Sequence, residues 1–205
     1  MIESRAMGVM GANCYIVSCP ETKKAAVIDP GADGKRLHRW ILEKGYQVEY
    51  ILLTHGHVDH IGAVDDLREL FHAKVGIHEG DADMLTDGRK NLSSYFGPAI
   101  EMKPADFLLE EGQVLSVGKE SITVIATPGH SPGGICFLTS EGLLSGDTLF
   151  EGSIGRTDFP GGSHEQLLDG IEKKLLLLSD ETRVYPGHGS DTTIGREKRE
   201  NPFLR

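Results

Sequence analysis

The chain has 205 residues, of which 39 % are hydrophobic and 25 % are charged, a balance typical of a folded globular protein. Its net charge of −10 disfavours nucleic acids and anionic membranes as partners, because proteins that bind them concentrate lysine and arginine. Three cysteines without paired spacing do not indicate a disulfide framework. We expect Cys14, Cys19 and Cys136 to be small buried side chains.

The N-terminal residues lack the basic stretch followed by an apolar stretch that marks a signal peptide. No apolar run approaches the ~20 residues that a membrane-spanning helix needs. The sequence therefore predicts a soluble, cytoplasmic protein, and its length fits one domain over residues 1–205. The sequence does not indicate the oligomeric state.

Strands alternate with helices in the first half of the chain. The patterns predict, in chain order, strands at 13–18 and 24–29, a helix at 33–44, a strand at 49–54, a helix after HGHVDH and a strand at 75–77. Gly45 supplies a stop for the first helix. Residues 80–105 carry no clear pattern.

The second half has the same organisation. It predicts strands at 121–126, 135–139, 143–144 and 183–185, with a short polar helix at 192–200. Ser163 is the predicted start of another helix, and Gln166 completes a capping box. Strands interleaved with helices in both halves indicate an α/β protein with helices outside its sheets.

Side chains that bind metals follow the ends of four predicted strands. They are His55, His130, Asp147 and His188. A glycine directly precedes three of the four, and sites in open α/β sheets lie outside the carboxyl ends of strands. The run HGHVDH adds His57, Asp59 and His60. Five histidines and two aspartates suit two metal ions about 3.5–4 Å apart, since imidazole binds transition metals and a carboxylate can bridge them.

The motifs TH-x-H-x-D-H, TPGH, SGD and PGH resemble those of the metallo-β-lactamase superfamily. Within it, GDTLFEGSIGRTDFPGG and the C-terminal NPFLR resemble the glyoxalase II-like hydrolases, especially the short bacterial type that lacks a C-terminal helical extension. The resemblance runs from NCYIV to NPFLR. It implies a four-layer αββα sandwich with two mixed sheets face to face, helices outside and metal ions at one edge.

The resemblance also implies roles for individual residues. One metal ion would be held by His55, His57 and His130. The second would be held by Asp59, His60 and His188, and Asp147 would bridge the two. Asp29, in VIDPG, would accept the free N–H of a ligand histidine. Zinc is the expected metal, with iron or manganese as alternatives.

Two such metal ions can lower the pKa of a shared water from ~15.7 towards ~7, and the resulting metal-bridging hydroxide would attack a carbonyl. A thiolate leaves easily because a thiol has a pKa of ~8.5, whereas an amine needs a proton donor. Together with the resemblance, this predicts a thioester hydrolase like hydroxyacylglutathione hydrolase (glyoxalase II), which would serve methylglyoxal detoxification. Its substrate would be S-D-lactoylglutathione or a related 2-hydroxyacyl thioester, with Asp59 and Asp147 as catalytic residues.

Recognition of the thiol carrier is the least constrained part of this prediction. Longer glyoxalase II enzymes hold the glutathione carboxylates with basic residues beyond the NPF segment, where this chain stops. We expect Arg156, in GRTDF, to bind a substrate carboxylate; the alternative is a surface salt bridge. The basic residues Arg196, Lys198, Arg199 and Arg205 either contact an anionic carrier or form a solvated helix face.

Several alternatives stay open. His55, His130 and Asp147 alone would form the two-histidine-one-carboxylate set of non-haem iron oxygenases, and persulfide dioxygenases resemble this chain, including its RTDF stretch. The main alternative is therefore a mononuclear iron persulfide dioxygenase. The acidic charge disfavours a nuclease, and the lack of a signal peptide disfavours a β-lactamase. An open two-metal edge on glycine-rich loops suits catalysis better than metal storage.

Overall fold

Two six-stranded sheets lie face to face in the computed structural model, which describes residues 1–204. The strands of the first sheet, in spatial order, are β1 Ile2–Met7, β2 Ala12–Ser18, β3 Lys24–Ile28, β4 Gln47–Leu52, β5 Lys74–His78 and β6 Phe107–Leu109. The second sheet has the order β14 Thr192–Thr193, β13 Arg183–Pro186, β10 Gly142–Gly146, β9 Ile135–Thr139, β8 Glu120–Ala126 and β7 Val114–Val117. A small hairpin pairs β11 Leu149–Phe150 with β12 Ser153–Ile154.

Helices cover the outer faces of both sheets. They are α1 Gly34–Lys44, α2 Val58–Ile61, α3 Val64–Phe71, α4 His164–Lys173 and α5 Ile194–Glu200. Short 3₁₀ helices occupy Glu79–Thr86, Ser93–Tyr95 and Leu175–Leu177. In the part of the chain from residue 1 to residue 204, no helix has the length and apolar character needed to cross a membrane.

Both sheets are mixed, as the resemblance implies. In the first, β1, β2 and β3 pair antiparallel, and β3, β4, β5 and β6 pair parallel. In the second, β10 and β13 are parallel and the other pairs are antiparallel. The carboxyl end of β4 leads into a crossover to its parallel partner β5, and residues 187–191 separate β13 from its antiparallel partner β14, so both strand ends leave room for functional residues.

Alternating side chains along each strand separate the core into layers. In β3, Ala25 and Val27 pack towards α1 and α3, whereas Ala26 and Ile28 pack between the sheets. In β9, Phe137 faces the first sheet and Cys136 packs with the residues of α4. Three apolar clusters therefore lie between four layers, and the predicted αββα sandwich is confirmed. The three cysteines are buried and unpaired, as expected.

The helix predicted after HGHVDH is two helices, because the chain breaks between α2 and α3. The backbone N–H of Ala63 donates to the carbonyl of Pro30 (2.8 Å), and a Cβ on Gly62 would lie 2.3 Å from the carbonyl oxygen of Gly31. The loop after β3 thus packs directly on this break. Ile61, Val64 and Leu67 are all buried.

Candidate metal centre

The predicted ligands meet where loops from the two sheets converge. His55 follows β4 of the first sheet, and three others follow strands of the second sheet. These are His130 after β8, Asp147 directly after β10 and His188 after β13. In the HGHVDH segment, His57 directly precedes α2, and Asp59 and His60 lie on its single turn. This short segment contributes to two neighbouring groups of candidate ligands, with His57 in one and Asp59 and His60 in the other.

The first group contains His55, His57 and His130, whose candidate ligand atoms lie within 4.8 Å of one another. His57 Nδ1 and His130 Nε2 face each other at 3.0 Å. His55 Nε2 is buried and makes no hydrogen bond within residues 1–204. Buried polar atoms are rarely left without a partner. Three ring nitrogens this close together fit a metal ion, which would satisfy all three lone pairs.

The second group contains Asp59, His60 and His188. Asp59 Oδ2 lies 3.1 Å from His188 Nε2, and the Nε2 atoms of His60 and His188 are 3.4 Å apart. His60 is fully buried, whereas the side chains of Asp59 and His188 are 19 % and 31 % exposed, so this group faces the open side of the site. The donor set of two imidazoles and one carboxylate also fits a divalent ion.

Asp147 lies between the two groups. Its Oδ1 is 3.4 Å from His60 Nε2, and its Oδ2 is 3.6 Å from His130 Nε2. Oδ1 is buried and has no hydrogen-bond partner among the described residues. A carboxylate with oxygens directed at both groups has the placement that a bridging ligand requires.

The second ring nitrogens of three histidines are fixed by neighbours. His60 Nδ1 lies 3.1 Å from Asp29 Oδ2, the contact expected from the sequence. Thr54 Oγ1 donates to the same Asp29 oxygen (2.6 Å) and lies 3.1 Å from His55 Nδ1, which donates to it. His130 Nδ1 donates to the carbonyl oxygen of Arg156 (2.7 Å). Each ring is thereby oriented so that Nε2 carries the lone pair.

Charge is distributed unevenly over the two groups. Burial lowers the pKa of His55 well below its ordinary value and that of His57 to about 3, so these rings stay neutral at pH 7. Burial alone would also lower the pKa of His60, but the carboxylates of Asp147, Asp29 and Asp59 raise it to about 10. A hydrogen bond with Asp59 likewise raises the pKa of His188. The second group therefore favours positive charge, which a bound cation can supply.

Gly187, the residue before His188, is required by close approach. A Cβ at this position would lie 2.1 Å from Asp147 Oδ1 and 2.8 Å from His60 Cε1. No side chain fits there without displacing the carboxylate. The glycine preceding this ligand, noted in the sequence, thus has a steric reason.

Asp81 is a residue of this site that the sequence analysis missed. It is fully buried beneath the ligand loops. Its Oδ2 accepts from the backbone N–H of Gly56 (3.0 Å) and from Ser131 Oγ (2.7 Å), and its Oδ1 accepts from the N–H of Gly133 (2.6 Å). It therefore ties the loop of His55 and His57 to the loop of His130.

A cavity of about 430 Å³ opens over the ligands. Arg156 lines it, and its Nε and Nη2 donate to the carboxylate of Asp158 at 2.7 and 2.6 Å. The guanidinium stacks on the ring of Phe159, with 4.1 Å between its Cζ and the ring centroid. Arg156 thus lies in the cavity wall and also forms a surface salt bridge, so both alternatives raised for it from the sequence apply in part.

The basic C-terminal residues lie outside this cavity. Arg196 pairs with Glu151 and Glu200, and Lys198 pairs with Asp180. Arg199 also lies near Asp180 (4.0 Å). Within residues 1–204 none of the three lines the cavity, and Arg205 lies outside the described residues.

Comparison with known proteins places this site in a family. The family model of the metallo-β-lactamase superfamily matches residues 7–188, a range that contains every predicted ligand. This chain belongs to the metallo-β-lactamase superfamily. Two curated relatives are each 40 % identical to it. The match to the probable metallo-hydrolase YqgX of Bacillus subtilis spans 97 % of this chain and 94 % of YqgX. The match to the hydroxyacylglutathione hydrolase GloC of Haemophilus influenzae spans 94 % of this chain and 92 % of GloC.

Solved structures of the superfamily share the whole fold. The BLEG-1 B3 metallo-β-lactamase superposes with a TM-score of 0.95 at 42 % identity, over 100 % of this chain and 99 % of its own. TTHA1623, solved in a di-iron-bound form, superposes with a TM-score of 0.88 at 38 % identity, over 98 % of this chain and 100 % of its own. The family and the candidate ligand groups together support a metal-binding hydrolase.

Proposed function

We propose that this protein is a thioester hydrolase that uses two divalent metal ions, with S-D-lactoylglutathione or a related 2-hydroxyacyl thioester as substrate. The observation that carries the proposal is Asp147, whose two oxygens are directed at two adjacent ligand groups. The similarity to a hydroxyacylglutathione hydrolase over nearly the whole chain supports the same reaction class. Zinc is the first candidate metal, and the di-iron form of TTHA1623 supports iron as an alternative.

In this proposal, the metal ions supply a hydroxide nucleophile at neutral pH and stabilise negative charge on the carbonyl oxygen. Asp29, Thr54 and the carbonyl of Arg156 keep the ligand rings oriented. Asp59, which is partly exposed and lies 3.1 Å from His188, is the candidate catalytic carboxylate on the open side of the site. Asp147 would be a ligand of both ions, and Arg156 would contact the substrate at the cavity wall.

The composition of the cavity wall favours a thiol as leaving group. The ionisable residues that line it within the described chain are Arg156 and the candidate ligands His57, Asp59, His130, Asp147 and His188. An amine leaving group needs a proton donor, and this wall offers no acid beyond the ligands themselves. A thiolate departs without one, because the pKa of a thiol is ~8.5.

β-Lactam hydrolysis is a second candidate, favoured by the 42 % identity to a B3 metallo-β-lactamase. The lack of an independent acid in the cavity wall counts against it, since a β-lactam releases an amine nitrogen. The identity over the whole chain makes a β-lactam substrate worth assaying.

The decisive experiment assays one metal-loaded preparation with lactoylglutathione, with glutathione persulfide in an oxygen electrode, and with a chromogenic β-lactam. We expect lactoylglutathione hydrolysis, its loss on chelation and close to two metal ions per chain by elemental analysis. Oxygen uptake with a single iron per chain would instead identify a persulfide dioxygenase. Hydrolysis by protein that retains one metal ion would refute the two-metal site.

A further inference from the structure

A second cavity opens beside the one that covers the ligands. Its volume is about 390 Å³, close to the 430 Å³ of its neighbour. The walls of the two cavities share four side chains, those of Leu92, Phe96, Arg156 and Phe159. We call the combined space the groove. Tyr95, Asp158 and Pro160 line the second cavity but not the first, and we call this second cavity the outer cavity.

The wall of the groove is largely apolar and aromatic. Phe159 marks the junction, because its ring centroid lies 5.4 Å from that of His57 and 6.3 Å from that of His130. Farther out, Tyr95 and Phe96 are 70 % and 68 % exposed. Neighbouring large aromatic side chains in water are characteristic of binding surfaces rather than of inert ones.

The groove is also built rather than formed by a loose loop. Leu92 is buried with a φ of 70°, a conformation that leucine rarely adopts. The preceding Asn91 holds it there. The Asn91 Nδ2 donates to the carbonyls of Met84 (3.0 Å) and Ile100 (2.7 Å). The carbonyl of Asn91 accepts from the N–H of Val58 (2.9 Å), directly after His57. The aromatic wall is thus tied to the ligand loop.

Charge in the outer cavity is balanced. Among its lining residues in the described chain, Arg156 is the one permanent cation, and Asp158 accepts two hydrogen bonds from it. The pair has no net charge. Selection of an anionic carrier would need a cation without such a partner, as in bidentate carboxylate recognition.

We infer that the groove is a subsite for an uncharged apolar arm of the substrate, preferably an aromatic one. The inference rests on the proposed thioester hydrolysis and names its substrate class: carboxylates on the carrier are not required. The arm belongs either to the leaving thiol or to the acyl group, since either can extend along the groove while the carbonyl lies over the ligands.

The test compares lactoyl thioesters of 2-phenylethanethiol and N-acetylcysteamine, two uncharged alkyl thiols that differ in the apolar arm. We expect kcat/KM to be roughly tenfold higher for the phenylethyl ester, because part of a phenyl ring leaves water. A second pair, phenyllactoyl and lactoyl esters of N-acetylcysteamine, tests the acyl side in the same way. A preference within one pair identifies which arm enters, and equal kcat/KM values in both pairs overturn the inference.

Two variants locate the preference. Tyr95→Ala changes only the outer cavity and should reduce the preference several-fold through KM, with kcat and metal content unchanged. Leu42→Ala, which removes an exposed apolar side chain on α1, is the control and should change nothing. Asp158→Asn should raise kcat/KM for lactoylglutathione relative to the uncharged esters. An unaltered preference in Tyr95→Ala, or an unaltered ratio in Asp158→Asn, contradicts the assignment.

A binding measurement separates this inference from the proposed function. The phenylethyl thioether of N-acetylcysteamine cannot be hydrolysed, so its dissociation constant from calorimetry reports the subsite without any reaction. Wild type that binds it more tightly than Tyr95→Ala, but hydrolyses no thioester, would keep the subsite and reject the reaction. Hydrolysis of the thioesters without that difference in binding would keep the reaction and reject the subsite.

Discussion

Asp147 has a position that no histidine of the site shares, because it faces both ligand groups. Loss of its carboxylate should therefore weaken both metal ions, whereas loss of one histidine weakens one. We predict that Asp147→Ala retains less metal after dialysis than any single His→Ala variant, as measured by elemental analysis. Full loading of Asp147→Ala would show that the carboxylate does not bridge.

Asp81 gives a second prediction for a single side chain. Asparagine would place an NH₂ group against the N–H of either Gly56 or Gly133, so it cannot satisfy all three donors. Asp81→Asn should weaken metal binding at His55, His57 and His130 by about 10- to 100-fold, the usual effect of losing a residue that orients ligands. Asp83→Asn, on the same 3₁₀ helix but paired with Lys90 in solvent, is the matched control. Equal metal affinities in the two variants would contradict the role of Asp81.

The two kinds of site residue differ in how visible they are in the sequence. The ligands could be predicted because their side-chain types are unusual and crowd at strand ends. Asp81 could not, because it binds two backbone N–H groups and a serine that lie 25, 52 and 50 residues away. Backbone donors leave no residue pattern, so such a contact is apparent only once the chain is folded.

Secondary-structure elements show the same contrast. The central strands of both sheets were predicted to within a few residues, since two neighbours bury them. The four strands of these sheets that the sequence analysis did not predict are all edge strands: β1, β6, β7 and β14. An edge strand pairs on one side only and needs less apolar surface, as in β7, where Val114 and Ser116 are exposed. Hydrophobic alternation is correspondingly weak there.

Helix α5 fixes the loop that carries Arg156. The buried carboxylate of Glu197 accepts from the N–H of Gly152 (2.9 Å), from Thr192 Oγ1 (2.6 Å) and from Asn201 Nδ2 (2.8 Å). Glu197→Ala leaves these donors unpaired and should cost about 3 kcal/mol of unfolding free energy. Denaturant unfolding measures this, with the exposed Glu200→Ala on the same helix as control. A loss no greater than the control would refute the anchoring role.

The loop from Gly152 to Gly162 is also where substrate binding is testable. Arg156→Ala should raise KM for the thioester more than it lowers kcat, because a contact at the cavity wall acts on ground and transition states alike. Metal content should not change, because His130 contacts the backbone carbonyl of Arg156, which alanine retains. Steady-state kinetics with elemental analysis decide the point: an unaltered KM with reduced metal would make Arg156 a structural residue.

For the molecule as a whole, metal binding should depend on pH in one group more than in the other. Protons compete for His60, whose pKa is about 10, and for His188, so metal must displace them at neutral pH. His55 and His57 hold no proton in that range. Lowering the pH from 8 to 6 at fixed free metal should therefore empty the Asp59–His60–His188 group first. Metal content and the absorption spectrum of a cobalt-substituted protein would report the order in which the ions are lost. Earlier loss of the ion at His55, His57 and His130 would contradict the prediction.

The division of the ligands between the two sheets has a consequence for biosynthesis. The first sheet is made of residues 2–109 and supplies four ligands, while the second, from residues 114–193, supplies His130, Asp147 and His188. On the ribosome, the amino-terminal half emerges with its four ligands and no carboxylate to join two ions. The last strand to reach the second sheet's centre is β13, beside β10, and His188 follows it. In the proposed two-metal site, acquisition of the complete metal pair would therefore be a late event, because it must wait until His188 has left the exit tunnel.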